Sequence, residues 1–319
     1  QALTGLSNLV LAGGVALNCV ANSQLINETQ LENLWIQPAA GDAGGALGAA
    51  EFVWFQLLEQ PRTPSARDGQ NASLLGPSYS DAQICTALDG CGAVYTRVED
   101  EDELLQLIAN YLREQQVVGW FHGRMEFGPR ALGARSILAD PRRAEMQSLL
   151  NEKIKFRETF RPFAPSVLLE QAHNYFQLPK SVAESPYMLL TAQVAGAQQV
   201  PLREEDLQLH GLQQRQAVRS TIPAVTHVDY SARVQTVDAV RSPRFHRLLT
   251  RWHECSGCAV LINTSFNVRG EPLVCTPLDA FRCFLATDID VLVIENFVLL
   301  KREQPATEKV RLPWAFVPD

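Results

Sequence analysis

The chain has 319 residues, of which 46 % are hydrophobic and 20 % charged. That composition belongs to a folded chain with room for two domains, and it excludes disordered, collagen-like and coiled-coil classes. With 28 basic and 35 acidic residues the formal charge is −7, which argues against a protein whose whole surface grips nucleic acid.

The longest apolar runs, 9–21 and 291–300, fall short of the roughly 20 residues a membrane helix needs. Asn18, Glu295 and Asn296 interrupt them. No basic region precedes the first run, so it does not read as a secretion signal. Seven cysteines are scattered along the chain, which reads as a reduced, cytoplasmic protein rather than a disulfide framework.

In chain order, residues 9–12 read as a buried strand, broken by Gly13-Gly14 and followed by a helical run to Leu25. A second strand, 34–36, leads to a Gly-rich helix start at Gly41-Asp42 and a helix to about Gln60. The aromatics Trp35, Phe52, Trp54 and Phe55 fall near or on that helix and are expected to pack. Strand–loop–helix punctuation of this kind predicts α/β architecture. Residues 62–81 collect Pro, Ser, Gly, Asp and Asn and read as a linker between segments 1–61 and 82–319.

Beyond it, 81–88 and 101–115 read as helices, the second with Leu104, Leu105, Ile108 and Leu112 on one face. Residues 117–121 read as a buried strand. Val-, Thr- and Ile-rich segments follow at 165–169, 224–228, 259–263 and 291–300, with helices at 244–253 and 278–286. No internal repeat is visible. The predicted fold is α/β in the broad sense that includes α+β.

Charge is not spread evenly. Between Arg124 and Arg161 lie nine basic and five acidic residues, an island of +4 that leaves −11 for the remainder. In GRMEFGPRALGARS, arginines alternate with glycines, and glycine lets backbone N–H groups approach an oxyanion. Arginine's planar fork suits bidentate phosphate contact, so the island is expected to bind phosphate rather than form an ion-paired face around Glu126, Glu145 and Glu158. A second cluster, Thr264, Ser265 and Asn267 in VLINTSFNVRGEPLV, follows a strand. Its hydroxyls and amides fit either a phosphate or sugar contact or a plain turn. Cys255 and Cys258 have metal-like spacing, but no second pair stands at zinc distance.

Together GGVALN, GDAGGALGAA, GRMEFGPRALGARSILADPR, NEKIKFRETFRPFAPSV, IPAVTHVDYSARVQTV and INTSFNVRGEPLVCTPLDAF resemble, in order, the ATP-dependent O-carbamoyltransferases of the nodulation-protein and cephalosporin type. The resemblance implies a partial actin-like, TsaD-like segment over 1–61, followed by a YrdC-like twisted-sheet domain over 82–319. It implies that carbamoyl phosphate and ATP, with Mg2+ accompanying the ATP, give carbamoyl-adenylate and pyrophosphate. The carbamoyl group then passes to a hydroxyl of a small metabolite.

On this resemblance Lys155 and Arg157 match a lysine–arginine element, and Ser265 and Asn267 a serine–asparagine element, with the phosphates of ATP between them. Lys155, Arg157 and Arg130 are the implied catalytic residues. Arg124, Arg130, Arg135 and Ser136 would hold carbamoyl phosphate or position ATP, with Arg161 and Thr264 also in the site. His227 is either a participant or a satisfied structural histidine. Gly13, Gly14 and Asn18 would line an adenylate pocket. Asp42 matches a metal-binding aspartate for Fe2+, although an N-cap explains the same residue. The remaining iron ligands of the family include a His-x-x-x-His pair, and no two of the six histidines here are four apart. The implied metal site is therefore incomplete in this chain, and its missing ligands are expected upstream of Gln1. Two other readings stand beside the enzyme: a YrdC-like module whose basic island contacts RNA, and a non-catalytic partner subunit.

Overall fold

The computed structural model describes residues 4–63, 68–179 and 181–305. Residues 64–67 of the expected linker and 306–319 of the last segment lie outside the described residues. The front segment comprises β1 (Asn8–Leu11), α1 (Cys19–Glu28), β2 (Asn33–Ile36) and α2 (Asp42–Phe52), with β1 and β2 parallel. The larger part contains α3 (Asp81–Asp89), β3 (Thr96–Arg97), α4 (Glu101–Arg113), β4 (Val118–Phe121), β5 (Arg135–Ala139), α5 (Glu145–Leu149) and β6 (Ala164–Leu168). It continues through α6 (Ala172–Tyr175), β7 (Phe176–Gln177), β8 (Thr191–Val194), β9 (Ser231–Arg233), β10 (Gln235–Val237), α7 (Pro243–Ser256) and β11 (Val260–Ser265). It closes with α8 (Pro277–Ala286), β12 (Val291–Ile294) and β13 (Phe297–Leu300).

Eight strands form one mixed sheet in the order β10-β6-β11-β5-β4-β12-β13-β3. Every residue of β4, β5, β6 and β12 is buried, and β4 and β12 accordingly read as continuous apolar runs rather than alternating ones. Helix α4 places Leu104, Leu105, Ile108 and Leu112 inward and starts on the Asp100 side chain, which accepts from the Glu103 amide at 2.8 Å. It packs on α7, and α3 packs on α8. Ser80 and Thr276 cap α3 and α8 through reciprocal bonds with Gln83 and Asp279. A separate three-stranded sheet, β7-β8-β9, completes the mixed α/β fold.

Several elements differ from the sequence expectation. Residues 224–228 are not a strand: Pro223–Val225 form a 3-10 turn, as expected where proline fixes φ and removes a backbone donor. The 291–300 run is a hairpin, turned at Glu295 with φ 50°. Strand β5 was hidden within the basic motif, where it reads as loop. Helix α2 buries none of its residues, and Phe52 and Trp54 are exposed rather than packed, because no described element covers that face.

The front segment meets the rest through a small core joining Ala16, Ile26, Ile36 and Ala40 to Leu132, Ala164 and 187–190. Asn22 Nδ2 donates to the carbonyls of Ala16 at 2.9 Å and Leu189 at 3.0 Å, and Ser23 Oγ donates to that of Thr191 at 2.9 Å. Within the expected linker, Gly76 N donates to Met125 O at 2.8 Å, and Phe127 N to Ser73 O at 2.7 Å. No described helix is long and apolar enough to cross a membrane.

Candidate functional site: a cationic cleft

At the junction of the two segments lies a cleft of about 420 Å³. Its walls carry four arginines, Arg130, Arg157, Arg161 and Arg233, and, among the described residues, no aspartate or glutamate. Cys19 and Val20 at the start of α1 form one wall. Asn263, Thr264 and Ser265 at the end of β11 form another, with His227 and Met188 between them.

Arg130 rides on the 128–134 loop between β4 and β5. Gly128 and Gly133 bracket the loop with φ of 130° and 109°. At Gly133 a side chain would also collide, since its Cβ would fall 2.3 Å from Phe245 Cδ1. The backbone N–H groups of Leu132, Gly133, Ala134 and Arg135 are already engaged. Glu126 Oε1 accepts from Leu132 N at 2.7 Å, Ala134 N at 2.7 Å and Arg135 N at 3.3 Å, and this carboxylate is buried. At this end of the glycine-rich motif the protein's own carboxylate occupies the N–H groups. What the loop presents to the cleft is Arg130, which donates to Leu17 O at 3.3 Å. Burial lowers the Arg130 pKa, and its Nε has no partner.

Arg157 follows a π turn, Leu150–Ile154, at the end of α5. Its Nε donates to Asn151 Oδ1 at 2.7 Å, and its guanidinium lies 5.0 Å from the Phe163 ring centroid. Buried Asn151 also holds the carbonyls of Thr159 at 3.2 Å and Arg161 at 2.9 Å, fixing the loop that carries both arginines. Burial first, and then Arg161, push Arg157 down to about 10. Arg161 is exposed and paired with Glu158 at 3.1 Å.

Arg233, at the end of β9, went unremarked in the sequence because it stands as a single arginine in SARV. Burial and then the charges of Arg130 and Arg157 push it down to about 10. Its Nε has no partner, and none of Arg130, Arg157 and Arg233 is ion-paired among the described residues. Three guanidiniums crowded without carboxylates form a region of unmet positive charge.

Lys155 is 3 % exposed and does not line the cleft. Its Nζ donates to Ser265 O, to Ser265 Oγ at 3.0 Å, to Asn267 O at 3.0 Å and to Asn267 Oδ1 at 2.9 Å. Burial and then Arg157 push the ammonium down to about 7. The expected lysine and serine–asparagine elements thus meet each other directly rather than across a phosphate. Lys155 ties down the turn after β11, Ser265 faces the cleft, and Asn267 lies behind it, donating through Nδ2 to Glu271 O at 2.8 Å.

Other expected residues lie elsewhere. Arg135 is fully buried beneath the loop, donating to the carbonyls of His122 at 3.0 Å, Gly123 at 3.2 Å, Ala134 at 3.0 Å and Pro77 at 3.2 Å, with its guanidinium over Phe121 at 3.4 Å. Both terminal nitrogens end on carbonyls and the guanidinium stacks on a ring, so it acts as scaffold, with Nε alone unpartnered. Ser136 Oγ accepts from Gly133 N at 3.1 Å within the core. Arg124 is exposed and donates to Leu75 O at 2.8 Å.

In the front segment Gly13 and Gly14 are exposed and do not line the cleft. Asn18 caps α1, accepting from Ala21 N at 3.1 Å, and the helix start reaches the cleft through Cys19 instead. Asp42 is the exposed first residue of α2, after the N-cap Gly41. No group of three His, Cys, Asp or Glu that could hold a metal exists among the described residues, so they do not fit the implied Fe2+. His227 Nδ1 lies 3.1 Å from Ser231 Oγ, and burial lowers its pKa. Burial also raises the thiol pKa of Cys255 and pushes Cys258 up to about 11, the state of packed rather than reactive cysteines.

Fold and cleft together define an α/β protein with a cationic cleft. The model for the carbamoyltransferase C-terminus matches residues 109–301, and that for the carbamoyltransferase N-terminus matches residues 1–51. The chain belongs to the carbamoyltransferase family. An uncharacterized protein of Synechocystis is 54 % identical over 307 residues, covering 96 % of this chain and 49 % of that one. Nodulation protein NolO of Bradyrhizobium diazoefficiens is 37 % identical over 299 residues, covering 94 % and 50 %. The 3'-hydroxymethylcephem-O-carbamoyltransferase of Amycolatopsis lactamdurans is 35 % identical over 269 residues, covering 84 % and 44 %. The chain spans about half the length of these relatives.

Proposed function

We propose that the cleft binds ATP and carbamoyl phosphate and makes carbamoyl-adenylate, within an enzyme that passes the carbamoyl group to a hydroxyl of a small metabolite. The division into a TsaD-like segment at 1–61, a connector at 62–81 and a YrdC-like domain at 82–319 belongs to the same proposal. Chemically, carbamoyl phosphate gives its phosphate to water, and an oxygen of the resulting carbamate attacks the α-phosphorus of ATP. Pyrophosphate leaves with the electron pair of the broken P–O bond.

The observation that carries this reading is the cleft wall with four arginines and no carboxylate. Charge develops on the departing pyrophosphate, and fixed guanidiniums in a partly dry site offset it without reorganising. Arg130 enters from the loop before β5 and Arg233 from the end of β9, while Arg157 and Arg161 share the loop that Asn151 fixes. The Thr264 hydroxyl is available to donate to phosphate oxygens, whereas Ser265 Oγ already donates to Asn267 Oδ1 at 2.7 Å, and Lys155 holds their turn in place. No carboxylate lines the cleft for Mg2+, which would arrive already bound to the triphosphate.

The hydroxyl acceptor is supported by the name of the Amycolatopsis relative. Incubation of the chain with ATP, carbamoyl phosphate and labelled pyrophosphate tests the adenylation step. Label entering ATP is expected, and its absence refutes the proposal.

A further inference from the structure

One side chain in the cleft wall does not fit a site made only to hold phosphate. Asn263 is 1 % exposed and lies in the wall beside Thr264. Its strand is paired on both edges, with Leu138 of β5 and with Ala164 of β6, so the side chain is what remains to act.

That side chain is oriented by a buried relay. Gln235 Nε2 donates to Leu132 O at 2.8 Å. A backbone carbonyl only accepts, so the amide of Gln235 must turn its oxygen the other way. There Gln235 Oε1 accepts from Ser166 Oγ at 2.5 Å and from Asn263 Nδ2 at 2.9 Å. With Nδ2 turned to Gln235, Asn263 presents Oδ1 on its other side, a buried acceptor that has no hydrogen-bond partner. Buried amide oxygens are rarely left so, because the missing bond costs free energy.

The cleft's charged groups are guanidiniums, which only donate. They suit the oxygens of a phosphate but offer nothing to an N–H. Asn263 Oδ1 supplies the complement: a neutral, unpartnered acceptor on a residue of the same wall, its amide oriented by Gln235. We infer that Asn263 reads the amino group of the carbamoyl donor, as a specificity-determining residue that selects a carbamoyl over an acetyl group on an acyl phosphate. This rests on the proposal that carbamoyl phosphate occupies the cleft. An acetyl group has nearly the same shape and carries a methyl in place of the amino group, so it leaves Oδ1 buried and unpaired.

Calorimetric titration of the full 319-residue chain with carbamoyl phosphate, acetyl phosphate and inorganic phosphate tests the inference. Wild-type protein should prefer carbamoyl over acetyl phosphate about tenfold. Asn263→Ala should bring that ratio close to one while the affinity for inorganic phosphate changes less than about twofold. A wild-type ratio near one overturns the inference without any variant, and so does a preference that survives in Asn263→Ala. If wild-type protein binds none of the three, the proposed function falls, and this inference with it.

Discussion

Replacing Arg233 with methionine should make the unliganded protein more stable and the liganded protein less so. Methionine keeps most of the apolar stem and removes the charge. In the free protein Arg233 is pushed down to about 10 by burial and by Arg130 and Arg157, and against an ordinary arginine that is about 3 kcal/mol of unfavourable charge. The smaller side chain leaves some space behind, so about 1–2 kcal/mol should emerge as added stability, a rise in Tm of about 4 °C. Saturating pyrophosphate should reverse the order. At a hundred times Kd a ligand adds about 2.7 kcal/mol to the protein that binds it, and the variant should lose most of that gain. Thermal melts with and without pyrophosphate report both halves. A variant that melts lower than wild type without ligand, or gains as much from pyrophosphate, refutes the idea that Arg233 is held in strain for an anion.

Glu126→Gln preserves the shape of the acceptor beneath the 128–134 loop but removes the charge from three backbone bonds, two of them at 2.7 Å. It should cost about 2 kcal/mol in urea unfolding and weaken pyrophosphate binding through Arg130; unaltered values of both would count against the loop's dependence on that carboxylate. For His227, burial lowers the imidazole pKa, so below about 6.5 the unfolded chain takes up a proton that the folded chain resists. Stability should therefore be lost as pH falls through that range, and His227→Asn should flatten the acid limb of a Tm–pH profile. An identical limb in the variant would assign the loss to another group.

Much of the fold could be read from periodicity. Helix α4 announced its buried face at Leu104, Leu105, Ile108 and Leu112, and the strands buried on both sides stood out as apolar runs. The sequence signal failed where charge was taken as a sign of exposure. Arg135 looked like one of a row of ligand-binding arginines, yet it is the most enclosed of them, because four carbonyls and the Phe121 ring receive it. Strand β5 begins at the same residue and was masked by the same charge. Arg233 was overlooked because it stands outside any conspicuous cluster, and Asn263 because it reads as the last residue of a strand beside one; what sets both apart is their surroundings in space. The lysine and serine–asparagine elements were expected on either side of a triphosphate and instead bond each other directly, through a buried ammonium that only packing could disclose.

The cleft draws its walls from the start of α1, the loop before β5, the loop after α5, the end of β9 and the end of β11. Cys19 and Ser265 border one volume though most of the chain lies between them. Such a site has no local precursor: each wall must wait for contacts far apart in sequence, the kind that close late when a chain folds. Acquisition of pyrophosphate binding should thus lag behind the appearance of helix in refolding, making the ligand a reporter of the final docking of the front segment. Fragments of the cleft, however rich in arginine, would hold an anion no better than any other basic peptide.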